Sequence, residues 1–289
     1  MFANTMKTGV LLAALGGLIV AVAGILGGGS SGALMIGLVL ALVMVGGSYW
    51  FSDRLALASA KAVVIEEHQA PAFYGMIRDL SQRAGLPMPR VAISPSQQPN
   101  AFATGRGPNH AVVCATEGLL STMTKAELEG VMAHELMHVK HRDILIGSVA
   151  AAIATAISSI AQMAMFASMF GGGRDDEDRP NPIALIAVSL LAPIAASLIQ
   201  MAVSRSREFE ADRGAAALLG TGEPLARALE RIESYAQRIP MQVSPAQASA
   251  YISNPLRGGR GQAATMAKLF STHPATEERI RRLREFQVV

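Results

Sequence analysis

The chain has 289 residues, 51% of them hydrophobic, only 16% charged and 5% aromatic, with a mean hydropathy of +0.32. That composition excludes disorder and argues against an ordinary soluble domain. A net charge of +3 without a long basic run gives no basis for nucleic-acid binding, and a single cysteine, Cys114, excludes an internal disulfide framework.

The apolar excess is gathered in blocks. Thr8 to Leu26 and Ala33 to Phe51 are each 19 residues long and uncharged. A helix needs about 20 apolar residues to cross a bilayer, so both are expected to span. The first, preceded by Lys7, also has features of a cleaved signal core. It runs long for one, and the second block follows after only the turn Gly27 to Gly32. Tyr49 and Trp50 close the second block, where interfacial aromatics belong.

Residues 53–143 form a first soluble piece. In it, His110 to Thr116 reads as a short strand after the turn Gly105 to Asn109. Thr124, with Glu127 three residues on, makes a capping box and opens a helix. This helix carries His134-Glu135-Leu136-Met137-His138. Its two histidines, at i and i+4, project from one face and can ligate one ion. Glu135 lies about 100° round, where its carboxylate reaches the ion's open side. This is the H-E-x-x-H pattern of zinc metalloproteases.

Two further blocks follow, Ile144 to Phe170 with 27 residues and Asn181 to Val203 with 23, both uncharged. Pro193 is expected to kink the second of them. Between them lies a short charged loop from Arg174 to Arg179. Lys7, Arg54, Lys61, Lys140, Arg142, Arg205 and Arg207 sit at the opposite ends of the blocks, so both termini, residues 53–143 and residues 204–289 are expected to be cytoplasmic. The two soluble pieces then share one membrane face and form one composite domain.

In the second piece Glu208 and Asp212 are again i and i+4 on one face, while Glu210 points away. His138 lies six residues before the third block, about 9 Å of helix rise, and Glu208 five residues after the fourth, about 7.5 Å. An antiparallel hairpin brings both to one height. Spacing alone leaves Glu208 and Asp212 equal candidates for a third ligand. Residues 240–265 read as a loop, His141 as interfacial, and His68 and His110 as structural or solvent-exposed. The Gly-rich stretches at 27–29 and 171–173 lack a phosphate-loop pattern, so no nucleotide is expected.

Four stretches in this order, Asn100 to Gly105, His134 to His138, Arg207 to Asp212 and Ser271-Thr272-His273-Pro274, together with the four-span layout, resemble the M48 family of membrane zinc metalloproteases over nearly the whole chain. The resemblance implies a mainly α membrane protein: four transmembrane helices and a composite cytoplasmic zincin-like α+β protease domain with a small β-sheet. The hairpins fall at 1–52 and 144–203, and the halves of the protease domain at 53–143 and 204–289. The resemblance makes Glu208 the third ligand of one Zn2+ per chain and places Asp212 behind a ligand histidine.

It further implies an endopeptidase of the bacterial inner membrane that cleaves misfolded or membrane-associated proteins at the cytoplasmic face, in quality control and stress response. Its partners are protein or peptide substrates and the lipid bilayer, with neither nucleic acid nor nucleotide. Glu135 is the expected general base, and His273 the expected stabiliser of the oxyanion, ahead of Arg279 and Tyr251. Asn100, Ala101, Phe102, Val112, Val113 and Arg279 are candidate substrate contacts. In similar proteases the edge strand beside the H-E-x-x-H helix pairs with extended peptide, a part expected here of His110 to Thr116.

Three other readings are weaker. An intramembrane protease would not flank its motif with Lys125, Glu127, Glu129, Lys140, Arg142 and Asp143. An adaptor or holdase with a structural zinc would have no use for Glu135 as a base. A transporter would carry charge inside its spans, and none of the four blocks does.

Overall fold

The computed structural model describes residues 28–145, 205–236, 251–253 and 274–287, with isolated positions between 6 and 24 and at 238. The third and fourth apolar blocks, apart from Ile144 and Leu145, and His273 lie outside the described residues.

The chain runs through α1 (Ser31–Trp50), α2 (Ser52–Ser59), β1 (Val63–Ile65), α3 (Pro71–Ala84), β2 (Arg90–Ser94), β3 (Ala101–Gly105), β4 (Ala111–Thr116), α4 (Glu117–Thr122) and α5 (Lys125–His141). It resumes with α6 (Arg205–Leu219), α7 (Glu223–Ala236) and α8 (Thr276–Arg284). Ser30 caps α1 by accepting from the Ala33 N–H. The helix leaves Met35, Ile36, Leu42 and Val43 exposed, an apolar surface of the kind that marks contact with a membrane or a partner. Among the described residues no single helix is long and apolar enough to cross a membrane. One bent pair, Ser31–Gly47 with Ser52–Ser59, turned by 72°, qualifies by length and composition.

The sheet has the order β1-β2-β4-β3, with β2 and β4 parallel and the outer pairs antiparallel. β4 is central, and all six of its residues are buried, which explains its unbroken run of small and branched apolar residues. Its alternation sorts the two faces. Val113 and Ala115 join Val91 and Ala101 in the main core under α3 and α5, while Val112 and Cys114 join Ala92, Phe102, Leu57 and Tyr251 on the other face.

α5 is the spine of the domain. The expected capping box is present: Thr124 Oγ1 accepts from the Glu127 N–H, and Glu127 Oε2 accepts from the Thr124 N–H at 2.8 Å. The helix is buried on nearly every side, by α3 and β3 from the first piece and by α6 and α7 from the second. Gly130 allows the closest approach, because a Cβ there would stand 2.7 Å from the Leu225 nitrogen of α7. Arg142 ends the helix in a left-handed conformation with φ 58°, and this turn brings Asp143 back beside the last turn.

Candidate active site

His134 and His138 lie one turn apart on α5, with their rings nearly perpendicular and their Nε2 atoms 3.0 Å apart. α6, packed along α5, delivers Glu208 into the same spot. Its Oε1 is 3.6 Å from His138 Nε2 and its Oε2 3.8 Å from His134 Nε2. These three residues form a group that could hold a metal ion, all ligand atoms falling within 4.8 Å of one another. Two nitrogens each about 2.0 Å from one zinc ion at a tetrahedral angle stand about 3.3 Å apart, so the observed spacing fits. Two imidazoles and a carboxylate are also a donor set that suits zinc.

Each histidine has a carboxylate behind it. Asp212, one turn beyond Glu208 on α6, has Oδ1 2.9 Å from His134 Nδ1. Asp143 has Oδ2 3.1 Å from His138 Nδ1. A carboxylate at Nδ1 holds the proton there and turns the Nε2 lone pair towards the ion. His134 is fully buried, whereas 17% of the His138 side chain remains exposed.

The two histidines are shifted in opposite directions. Burial opposes charge on His138, but Asp143, Glu208 and Glu135 outweigh it and lift its pKa to about 10. On His134 burial prevails and lowers the pKa, although Asp212 pulls the other way. Glu135 is 2% exposed, and burial pushes its carboxyl up to about 7.

The comparisons with known proteins agree with this geometry. The Peptidase family M48 pattern matches residues 67–287. The chain belongs to this family. It is 54% identical over 286 residues to a "Protease HtpX homolog" of Burkholderia thailandensis, covering 98% of this chain and 96% of the relative. It is likewise 54% identical over 284 residues to a protein of the same description from Burkholderia mallei, covering 97% and 96%. The crystal structure of S. mikatae Ste24p superposes with a TM-score of 0.51 at 20% identity, covering 98% of this chain and 66% of that one. That likeness concerns the fold: helices packed on a small mixed sheet. As a member of this family with such relatives, the chain is a metallo-endopeptidase.

The structure revises several expected substrate contacts. β4 pairs with β2 on one side and β3 on the other, so Val112 and Val113 have no open edge to offer. The edge belongs to β3. The Thr116 N–H donates to the Asn100 carbonyl, and by antiparallel alternation Phe102 and Thr104 also face β4, while Ala101, Ala103 and Gly105 turn outward. Phe102 is therefore committed in its backbone to β4, and its ring packs on Tyr251 on the face away from α5. The same placement removes Tyr251 from the oxyanion role.

Asn100 is fully buried. Its Nδ2 donates to the Ser253 carbonyl and its Oδ1 accepts from the Ala101 N–H. The Ala101 carbonyl accepts from the Ile252 N–H. Both residues are thus engaged within the chain, and the outward edge continues at Ala103 and Gly105. Arg279 is 2% exposed and stands against the ligands, with Nη2 3.5 Å from His134 Nε2 and Nη1 3.5 Å from Glu208 Oε2. Asp143 is a partner of His138 that the sequence pattern presents only as a surface charge. The signal was local: an acid one residue past the turn that ends the helix.

Proposed function

We propose that this chain is a membrane-embedded zinc endopeptidase, with one Zn2+ held by His134, His138 and Glu208, which hydrolyses misfolded or membrane-associated proteins at the cytoplasmic face in quality control and stress response. The observation that carries this reading is the convergence of these three side chains beside a buried Glu135. A bound zinc ion supplies Lewis acidity, lowering the pKa of water towards 7 and polarising the scissile carbonyl.

The remaining work falls to the chain. Glu135 accepts the proton of the attacking water and passes it to the leaving amine, a role suited to a carboxyl held near neutrality by burial. Asp212 and Asp143 fix the ligand histidines. Extended substrate lies along the β3 edge at Ala103 and Gly105, where backbone pairing gives affinity with little sequence preference. His273 supplies the oxyanion's hydrogen bond.

The membrane part of the reading rests on the four uncharged blocks, the exposed apolar surface of α1 and the basic residues at one set of block ends. On this reading 1–52 and 144–203 lie in the bilayer of a bacterial inner membrane, with 53–143, 204–289 and both termini in the cytoplasm. Arg106, just past the open end of β3, stands over the Trp50 ring at 4.4 Å. The strand edge therefore runs out beside the end of the apolar helix, within reach of chains emerging from the bilayer.

The test uses the full chain in detergent, wild type beside Glu135→Gln, with bound zinc and cleavage of unfolded casein measured in both. About one zinc in each and cleavage by the wild type alone upholds the reading. Zinc in both with cleavage in neither, even after added zinc, would replace it with an adaptor or holdase carrying a structural metal.

A further inference from the structure

Arg279 is the largest fully buried side chain among the described residues, and the reaction as derived so far gives it no part. Its surroundings are specific. Nε donates to Asp212 Oδ2 at 2.8 Å and Nη2 to Asp212 Oδ1 at 2.7 Å, a two-pronged pairing of fork and carboxylate. The same Oδ1 accepts from His134 Nδ1 at 2.9 Å. Nη1 donates to the Ile252 carbonyl at 2.8 Å and lies 3.5 Å from Glu208 Oε2. One guanidinium thus touches the carboxylate behind one ligand, the carboxylate that is another ligand, and the segment fastened to the β3 edge through Ile252 and Ala101.

We propose that Arg279 is a positioning residue for the metal centre: its fork sets the plane of Asp212, and through it the tautomer and angle of His134, while its charge holds Glu208 in place. The inference rests on the zinc-protease reading. It is chemical before it is structural. Glu208 and Asp212 are both buried, and buried carboxylates are held in orientation by the partners that hydrogen-bond or pair with them, here the Arg279 guanidinium.

Were Arg279 absent, Asp212 would lose the fork that fixes its plane and would be free to turn. That turn removes the acceptor that keeps the His134 proton on Nδ1. A lysine at 279 would restore the charge but not the pair of parallel hydrogen bonds, because an ammonium is a point donor. The competing explanation is that Arg279 merely pins α8 to α6. It predicts a loss of thermal stability with an unchanged metal site in whatever protein folds.

The experiment compares wild type, Arg279→Gln, Arg279→Lys and Glu135→Gln, each as full chain in detergent. The zinc affinity of the metal-free protein is measured by chelator competition, the visible spectrum after loading with cobalt(II), and kcat and KM on casein after zinc loading. Arg279→Gln is expected to bind zinc about 10- to 100-fold more weakly and to lose a similar factor in kcat with KM within about twofold. Its cobalt bands should shift, and Arg279→Lys should fall between it and wild type.

Wild-type affinity, cobalt spectrum and kcat in Arg279→Gln would overturn the proposal, whatever its melting temperature. Should Arg279→Gln fail to fold, Arg279→Lys decides: a wild-type metal affinity and spectrum overturn the proposal, and a weakened affinity with shifted bands upholds it. Failure of the underlying reading shows elsewhere, as a wild type that binds no zinc or a Glu135→Gln that cleaves as well as wild type.

Discussion

The two histidines of α5 serve one site but are supported from different directions. His138 lies at the helix's end and takes its carboxylate from Asp143, five residues on, across the left-handed turn at Arg142. His134 lies deeper and takes Asp212 from α6, with Arg279 of α8 behind it. One half of the site is assembled by local chain geometry and stays open to water. The other is assembled by three helices packing together and is dry. Hydrogen bonds in the dry half lack a substitute when removed, whereas water can replace a lost partner in the open half.

Four measurements press on this contrast, beginning with the largest effect. Glu135→Gln should lower casein cleavage by about 10²- to 10⁴-fold with zinc content unchanged, since it removes the base and leaves both halves of the metal site intact. Next come the two supporting acids. Asp212→Asn should weaken zinc binding by about 10- to 100-fold, and Asp143→Asn by less than about tenfold. Chelator competition on the two variants decides this, and equal losses would show that depth does not distinguish the halves.

Smaller effects test the packing behind the dry half. Gly130→Ala pushes a methyl group to 2.7 Å from the Leu225 nitrogen and should destabilise the fold by about 1–3 kcal/mol. Gly75→Ala, in α3 with nothing within 4 Å of the new methyl, should stabilise by about 0.5–1 kcal/mol. Thermal melts of the pair should move in opposite directions.

The smallest effect belongs to the exposed face of α8, where Glu278 bonds Arg281 and Arg282 and its carboxyl is held down at about 2 from an ordinary 4.5. A lowered pKa contributes stability above the ordinary value and loses it as pH falls towards the lowered one. The melting-temperature gap between wild type and Glu278→Gln should therefore be full at pH 6 and close between pH 4.5 and 2. A gap that stays constant with pH would rule out the charge as its source.

The parts of the site written in one helix turn were legible without coordinates. Residues at i and i+4 share a face whatever the rest of the chain does, so His134 with His138, and Glu208 with Asp212, could be paired in advance, as could the cap at Thr124. Strand order could not. His110 to Thr116 has the composition of a strand, but whether its edge is open depends on where β2 and β3 come to lie, and they enclose it. Arg279 could be named in advance as a residue of the site, but not its partner: only the packing of α8 against α6 buries it beside Asp212. Helical periodicity is an intrinsic property of a short segment and can be read from the amino-acid sequence. Sheet neighbours and buried ion pairs are properties of contacts between distant segments, and the tertiary structure alone decides them.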